Sequence, residues 1–421
     1  MTSFKFVHAA DLHIDSPLRG LEADAPAERI RTASRSAYVN LVELALREQV
    51  AFVVIAGDLF DGDWLDWRTG QFFAQETARM TRSGIRVVAI SGNHDAHSVI
   101  TRRLALPDGA RMLSADRPEA VRLAEHDVCI HGQGFATREV SENLALAYPP
   151  PLPGHFNIGL LHTAASGRPG HASYAPCTVE QLAAHGYHYW ALGHVHTREV
   201  LSRAPWIVFP GNTQGRHINE PGPKGATLVT VRDSQVVQAV HRDLDVVRWG
   251  TVSLDLAGAC DTEQVLALLR SRLGAELAAA AGRLLAVRLE LTGACAAHPL
   301  LARDPGRTRE MLLAEAAACA SSNDLWLEGV SLRTRPSLDL AAMRTRGDAV
   351  GLLVRNIEAG GGGPVVDGTQ KYAAALLNRA NSLRMALGDH HPVVQAAAGI
   401  LPPELLDRAR ALLLARLAEE G

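Results

Sequence analysis

Five short apolar runs in the first half of the chain each end in a side chain able to bind a cation. This recurrence constrains the fold more than any other feature. Phe6-Val7-His8-Ala9-Ala10 leads into Asp11-Leu12-His13, and Phe52-Val53-Val54-Ile55-Ala56 leads into Gly57-Asp58. Val87-Val88-Ala89-Ile90-Ser91 precedes Gly92-Asn93-His94-Asp95, and Ile158-Gly159-Leu160-Leu161 precedes His162. Tyr189-Trp190-Ala191-Leu192 runs into Gly193-His194-Val195-His196. Runs of this kind read as buried strands, and 27–48 and 66–83 have the length and period of helices. Strands alternating with helices predict an α/β fold, whose sites form at the carboxyl ends of the strands. The five loops are therefore expected to converge. A further buried run at 206–210, and a hairpin of Ala226–Val231 with Val236–Val240 around Asp233-Ser234, complete this half.

The rest of the chain has a different texture. Fourteen of the eighteen histidines precede residue 218, which places the chemistry in the N-terminal half. Strand-like runs at 251–256, 284–292 and 325–334 alternate with helical ones at 262–281 and 307–320, a small α+β unit whose one histidine is His298. From about 338 the pattern is helical, broken by Gly360-Gly361-Gly362-Gly363-Pro364, which reads as a flexible linker. Pro402-Pro403-Glu404 then opens a helix with an apolar stripe from Leu405 to Leu417. The expected division is 1–249, 250–336 and 337–421, in keeping with two or three domains for 421 residues.

Several classes fall away. No apolar run approaches the ~18 residues a membrane span needs, and the opening MTSFKFVHAADLH enters a strand without a signal-peptide pattern. A cytoplasmic protein is expected. The five cysteines (Cys129, Cys177, Cys260, Cys295, Cys319) include no C-x-x-C pair and read as thiols of a reducing compartment. The net charge of −3 does not advertise a polyanion-binding surface.

Asp11, His13, Asp58, Asn93, His162, His194 and His196 together offer carboxylate, imidazole and amide donors. That is about what two divalent cations need, and the nitrogen content suits Mn, Fe or Zn better than Ca or Mg. One carboxylate between two ions can bridge them, as in two-metal phosphoryl transfer. Taken singly, each piece has an ordinary explanation: a chance D-x-H, a turn after a strand, or a loop with a capping Asp. Their joint occurrence in this order does not.

The order D-x-H, G-D-x-x-D, G-N-H-D, H, G-H-x-H resembles the calcineurin-like metallophosphoesterases over roughly residues 4–240. The resemblance implies a four-layer αββα sandwich with a dinuclear centre, a small α+β capping domain and a helical C-terminal segment. It assigns Asp11, His13, Asp58 and His196 to one ion, and Asp58, Asn93, His162 and His194 to the other. His94 is implied to assist the leaving oxygen, and Asp61 to orient His94. Asp61 is followed by Gly62-Asp63-Trp64, unlike the Arg-Gly of the Ser/Thr protein phosphatases. The layout is similar to SbcD-type DNA repair nuclease subunits. More narrowly, His8–Pro17, Phe156–Thr163, Tyr187–His194 and Phe209–His217 resemble the YhaO-like branch.

That branch implies a Mn-dependent DNA exonuclease that hydrolyses phosphodiesters through a bridging hydroxide. It implies an SbcC-like coiled-coil ATPase as partner, gripped by the C-terminal helices, and a homodimer. Arg216 and His217 are expected near the metals, where one of them would touch a phosphate. His97 and His131 are weaker candidates. The alternatives are a small-molecule phosphodiesterase of the cyclic-nucleotide type and a scaffold with a vestigial site.

Overall fold

The structure, a computed structural model, describes residues 3–17, 26–61, 67–96, 104–165, 174–320 and 324–337, together with 340–348, 351–352, 354–355, 370–375, 377–378, 387 and 391–400. The glycine linker, the stripe from Leu405 to Leu417, and His97 lie outside the described residues. The chain divides into two compact units, one of residues 1–251, 276–288 and 320–328 and one of 252–275, 289–319 and 329–421.

The first unit is built on two mixed six-stranded sheets. In one, β1 (Ser3–Ala9), β2 (Phe52–Ala56), β3 (Arg86–Ile90) and β4 (Ala110–Met112) run parallel. The antiparallel hairpin of β11 (Gly225–Arg232) and β12 (Gln235–Asp243) is added beside β1. Its turn is Asp233-Ser234, both at positive φ, as a two-residue hairpin with native twist requires. In the second sheet, β6 (Val128–Gly132), β7 (Phe156–His162), β8 (Tyr189–Gly193) and β10 (Trp206–Phe209) are parallel. Antiparallel β5 (Glu119–Leu123) and β9 (Glu199–Arg203) close its two edges.

Alternation along the strands decides which residues lie between the sheets. Phe4, Phe6, Phe52, Val54 and Ile90 of the first sheet pack with Ile130, Phe156, Ile158, Leu160, Tyr189 and Val208 of the second. The opposite face of the first sheet, through Val7, Val53, Ile55 and Val87, packs against Tyr38, Leu41 and Phe73. Those three belong to α2 (Ala33–Glu48) and α3 (Trp67–Arg82). On the outside of the second sheet, Trp190, Leu192, Ile207 and Phe209 meet Leu182 of α4 (Val179–Ala184) and Tyr148 from a loop. The order of layers is helix, sheet, sheet, helix, with the last layer thin.

The expected long helix 27–48 is two: α1 (Ala27–Arg31) and α2, divided at Thr32. The Thr32 hydroxyl donates back to the Glu28 carbonyl at 2.9 Å, and Ser36 does the same to Thr32, a habit that bends helices.

A third sheet has the order β13 (Val247–Asp255), β14 (Leu284–Cys295), β15 (Leu325–Pro336). The Leu284 amide donates to the Val246 carbonyl and the Leu256 amide to that of Thr292, so β13 and β14 run parallel. The α+β expectation for this stretch is thus corrected to a parallel β-α-β arrangement. Helix α5 (Thr262–Ala280) lies between the first two strands in sequence, and α6 (His298–Arg303) and α7 (Pro305–Cys319) lie between the second and third. Further on are α8 (Leu340–Thr345) and a short helix, Pro392–Ala397. All five cysteines are free thiols. Among the described residues no helix is long and apolar enough to cross a membrane.

Candidate metal centre

The loops after β1, β2, β3, β7 and β8 meet, and backbone bonds hold them in register. The Asp11 amide donates to the Gly57 carbonyl and the His13 amide to that of Asp58, both at 3.0 Å. Four of the side chains brought here sit on left-handed backbone: Asp11 (φ 52), His13 (φ 44), Asp58 (φ 51) and His194 (φ 100). Non-glycine residues adopt this region at a cost of about 1–3 kcal/mol, tolerated where a site needs it. Where even a methyl group fails to fit, glycine is present. A Cβ on Gly92 would collide with the Asp58 carboxylate, and one on Gly57 with the His162 ring.

Two clusters of donors result. Asp11, His13 and His196 form one, and Asp58, His162 and His194 form another. The nitrogens His13 Nε2 and His196 Nε2 face each other at 3.2 Å. Asn93 Oδ1 lies 2.9 Å from His162 Nε2 and 3.2 Å from His194 Nδ1. Asp58 Oδ2 stands 3.8 Å from His13 Nε2 and 3.6 Å from His162 Nε2, between the two sets.

The tautomers show what the clusters are shaped for. His162 Nδ1 is 2.8 Å from the Ala56 carbonyl, which only accepts, so its proton is there and Nε2 carries a lone pair. That lone pair points toward the Asn93 oxygen and the Asp58 carboxylate. His196 Nδ1 lies 2.7 Å from Glu220 Oε1, and the same logic turns its lone pair toward His13. The 3.5 Å approach of Arg216 Nη2 to that nitrogen is the weaker contact. At His162 the Nε2 lone pair, the Asn93 oxygen and the Asp58 carboxylate converge with no proton to share, an arrangement that fits a cation. Burial pushes the Asp11 carboxyl well above its usual range, and the Asp58 charge pushes the same way, a repulsion that cations relieve. Burial, and then the Arg216 charge, hold His13 well below its usual value, in the neutral form a ligand needs.

Beside these donors is a third group, His13, Asp61 and His94. His94 Nδ1 is 2.5 Å from Asp61 Oδ1, the contact the resemblance implies. Burial works to raise the Asp61 carboxyl, but the bonds from His94 and from the Ser16 hydroxyl outweigh it and hold it at about 2. The same bond from Asp61 raises His94.

Several further residues hold the site together without supplying an atom to the donor clusters. Asp95 is 2% exposed and accepts from the amides of Leu59, Phe60 and Gly92, tying two of the loops together. Asp15 is gripped by Nε and Nη2 of Arg35, one on each carboxylate oxygen, and by the Thr69 hydroxyl, which fixes the loop carrying His13. Glu220, behind His196, had one available clue: it is an acidic residue in the loop that follows a strand of the same sheet.

Among the expected residues of that loop, Arg216 lies at the site, bonded to Asp61 Oδ2 (3.2 Å) and Glu220 Oε1 (3.1 Å). His217 has a 53% exposed side chain 3.6 Å from Glu220. His131 is elsewhere; it bonds Asn157 at 2.9 Å and stacks on Tyr187.

Fold and donor set define the class. Residues 4–198 match the calcineurin-like phosphoesterase family, and the chain belongs to the calcineurin-like metallophosphoesterases. Within them it is YhaO-like, since residues 249–335 match the middle domain of metallophosphoesterase YhaO. It is 35% identical over 265 residues to the uncharacterized metallophosphoesterase YhaO of Bacillus subtilis (strain 168), an alignment covering 62% of this chain and 65% of that one. It is 38% identical over 95 residues, 23% of this chain and 22% of the other, to the DNA double-strand break repair protein Mre11 of Aeropyrum pernix. The Mre11 protein of Methanopyrus kandleri is 24% identical over 252 residues, covering 55% and 51% of the two chains.

Proposed function

We propose that this chain is a Mn2+-dependent DNA phosphodiesterase that removes or trims nucleotides at strand ends. The observation that carries the reading is two adjacent donor clusters, with Asp58 within reach of both and the His94–Asp61 pair beside them. The Mre11 relatives are DNA double-strand break repair proteins, which supports DNA as the substrate.

In this reading Asp11, His13, Asp58 and His196 hold one cation, and Asp58, Asn93, His162 and His194 the other. When bound, the cations neutralise phosphate charge and lower the pKa of water at the site. Water, having given up a proton to solvent, adds to phosphorus and the bond to the leaving oxygen breaks. That oxygen departs as a poor leaving group unless it takes a proton. With Nδ1 committed to Asp61, His94 has Nε2 left to supply it, and Asp61 keeps the imidazole charged for the purpose. Asp61 holds the ring in place and remains a carboxylate throughout.

The SbcC-like ATPase partner and the homodimer remain part of the proposal on the resemblance alone. A net charge of −3 fits a chain that receives DNA with help from a partner. The test is nucleotide release from end-labelled single- and double-stranded DNA with Mn2+, beside bis-p-nitrophenyl phosphate. His94→Ala should lower DNA cleavage by about 10²–10⁴-fold with its metals still bound. Cleavage of the small diester but not of DNA, with the ATPase supplied, would favour the small-molecule phosphodiesterase. Inactivity on both in the metal-loaded chain would favour the scaffold.

A further inference from the structure

Glu220 and Arg216 lie in the loop after β10, and neither contributes an atom to the three donor clusters. Yet both are committed to residues that do. Glu220 is 7% exposed, and donors surround its carboxylate. Oε1 takes His196 Nδ1 (2.7 Å) and Arg216 Nη2 (3.1 Å); Oε2 takes Asn212 Nδ2 (2.9 Å) and the Arg216 amide (2.8 Å). The other end of the Arg216 guanidinium reaches Asp61 Oδ2 at 3.2 Å, and Asp61 Oδ1 holds His94. A continuous chain thus runs from His196 through Glu220, Arg216 and Asp61 to His94.

We infer that Glu220 and Arg216 are positioning residues: Glu220 sets the tautomer and ring orientation of His196 as a metal donor, and Arg216 braces Glu220 against the Asp61–His94 pair. The inference rests on the reading of His196 as a ligand. A carboxylate behind a ligating imidazole fixes which nitrogen carries the proton, and such partners matter about 10–100-fold in metal affinity. A planar guanidinium can span two carboxylates, whereas the single ammonium of lysine is a point charge. This gives Arg216 a different duty from the phosphate contact expected of it. Its two terminal nitrogens already face carboxylates.

The test is titration of Mn2+ into the metal-stripped full chain by calorimetry, with steady-state kinetics on bis-p-nitrophenyl phosphate. Glu220→Ala should weaken one of two ions by about 10–100-fold and leave the other unchanged. Glu220→Gln, whose amide oxygen still accepts from Nδ1, should recover most of that loss. Arg216→Ala should lower kcat with little change in KM, and Arg216→Lys should not rescue it. Two ions bound with unaltered affinity in Glu220→Ala would overturn the role of Glu220. A raised KM at unchanged kcat and metal affinity in Arg216→Ala would return Arg216 to phosphate binding. If Glu220→Ala does not fold, equal affinities in Glu220→Gln and Arg216→Ala, with neither ion weakened in Arg216→Ala and kcat unchanged, would overturn the brace. A wild-type chain that binds no Mn2+ would instead sink the metal-centre reading beneath it.

Discussion

His8 is fully buried between the two sheets, with Nδ1 3.0 Å from the Tyr189 hydroxyl and Nε2 3.1 Å from the Leu192 carbonyl. Burial lowers it from 6.5 to about 3, only partly opposed by the bond to Leu192. The native state therefore keeps it neutral, while an unfolded chain takes up a proton below about pH 6.5. The sign follows: stability from His8 is intact above pH 6.5, falls as the pH drops, and levels off near 3. Between pH 6.5 and 5 the loss is about 2 kcal/mol. Urea unfolding at pH 7 and pH 5 should show a drop in the wild type that is smaller by about 2 kcal/mol in His8→Gln, the other buried histidines supplying the remainder. Equal pH slopes would place the imidazole's charge elsewhere. The residues of the donor clusters were legible because a cation needs particular donor types, and those types follow apolar runs in the sequence. Glu220 was not: it acts through hydrogen bonds to other groups, and a lone carboxylate in a loop looks the same whether it does so or not.

At the scale of elements, the site depends on loops held to one another more than on any one strand. Asp95 accepts three amides from two loops, the one bearing Asp58 and its own. Burial and the Asp58 charge push it up to about 7, against those three bonds. Asp95→Ala would leave three buried N–H groups unanswered, at a cost of about 3 kcal/mol or more. Chemical denaturation should register that loss, and Mn2+ affinity should fall with it; a variant as stable as wild type would show the loops to be held by other means. The parallel strands β1, β2, β3, β7, β8 and β10 were readable because burial on both faces leaves unbroken apolar runs. Edge strands β4, β5 and β9 were not, being three to five residues long and only partly buried. Helix α6, six residues with a proline in its first turn, is too short to establish a period.

For the whole molecule, metal binding and folding are coupled, because the donors converge only in the folded chain. Saturating Mn2+ at 100 times its dissociation constant should stabilise the chain by about 2.7 kcal/mol per site. The melting temperature should rise by several degrees and return to baseline with EDTA; no shift would mean that the site does not bind the ion. The parallel arrangement of the third sheet was not legible, since alternating helices and strands were seen but the pairing that distinguishes α/β from α+β is a property of space. Membership of the metallophosphoesterases leaves the substrate open, because one dinuclear site serves many phosphate esters. The most direct measurement is p-nitrophenol release from bis-p-nitrophenyl phosphate by the metal-stripped chain as Mn2+ is added, beside Asp58→Asn. Turnover that rises to a plateau near two equivalents, and is absent from Asp58→Asn, is the predicted result. Hydrolysis unaffected by metal removal, or none with both ions bound, would contradict it.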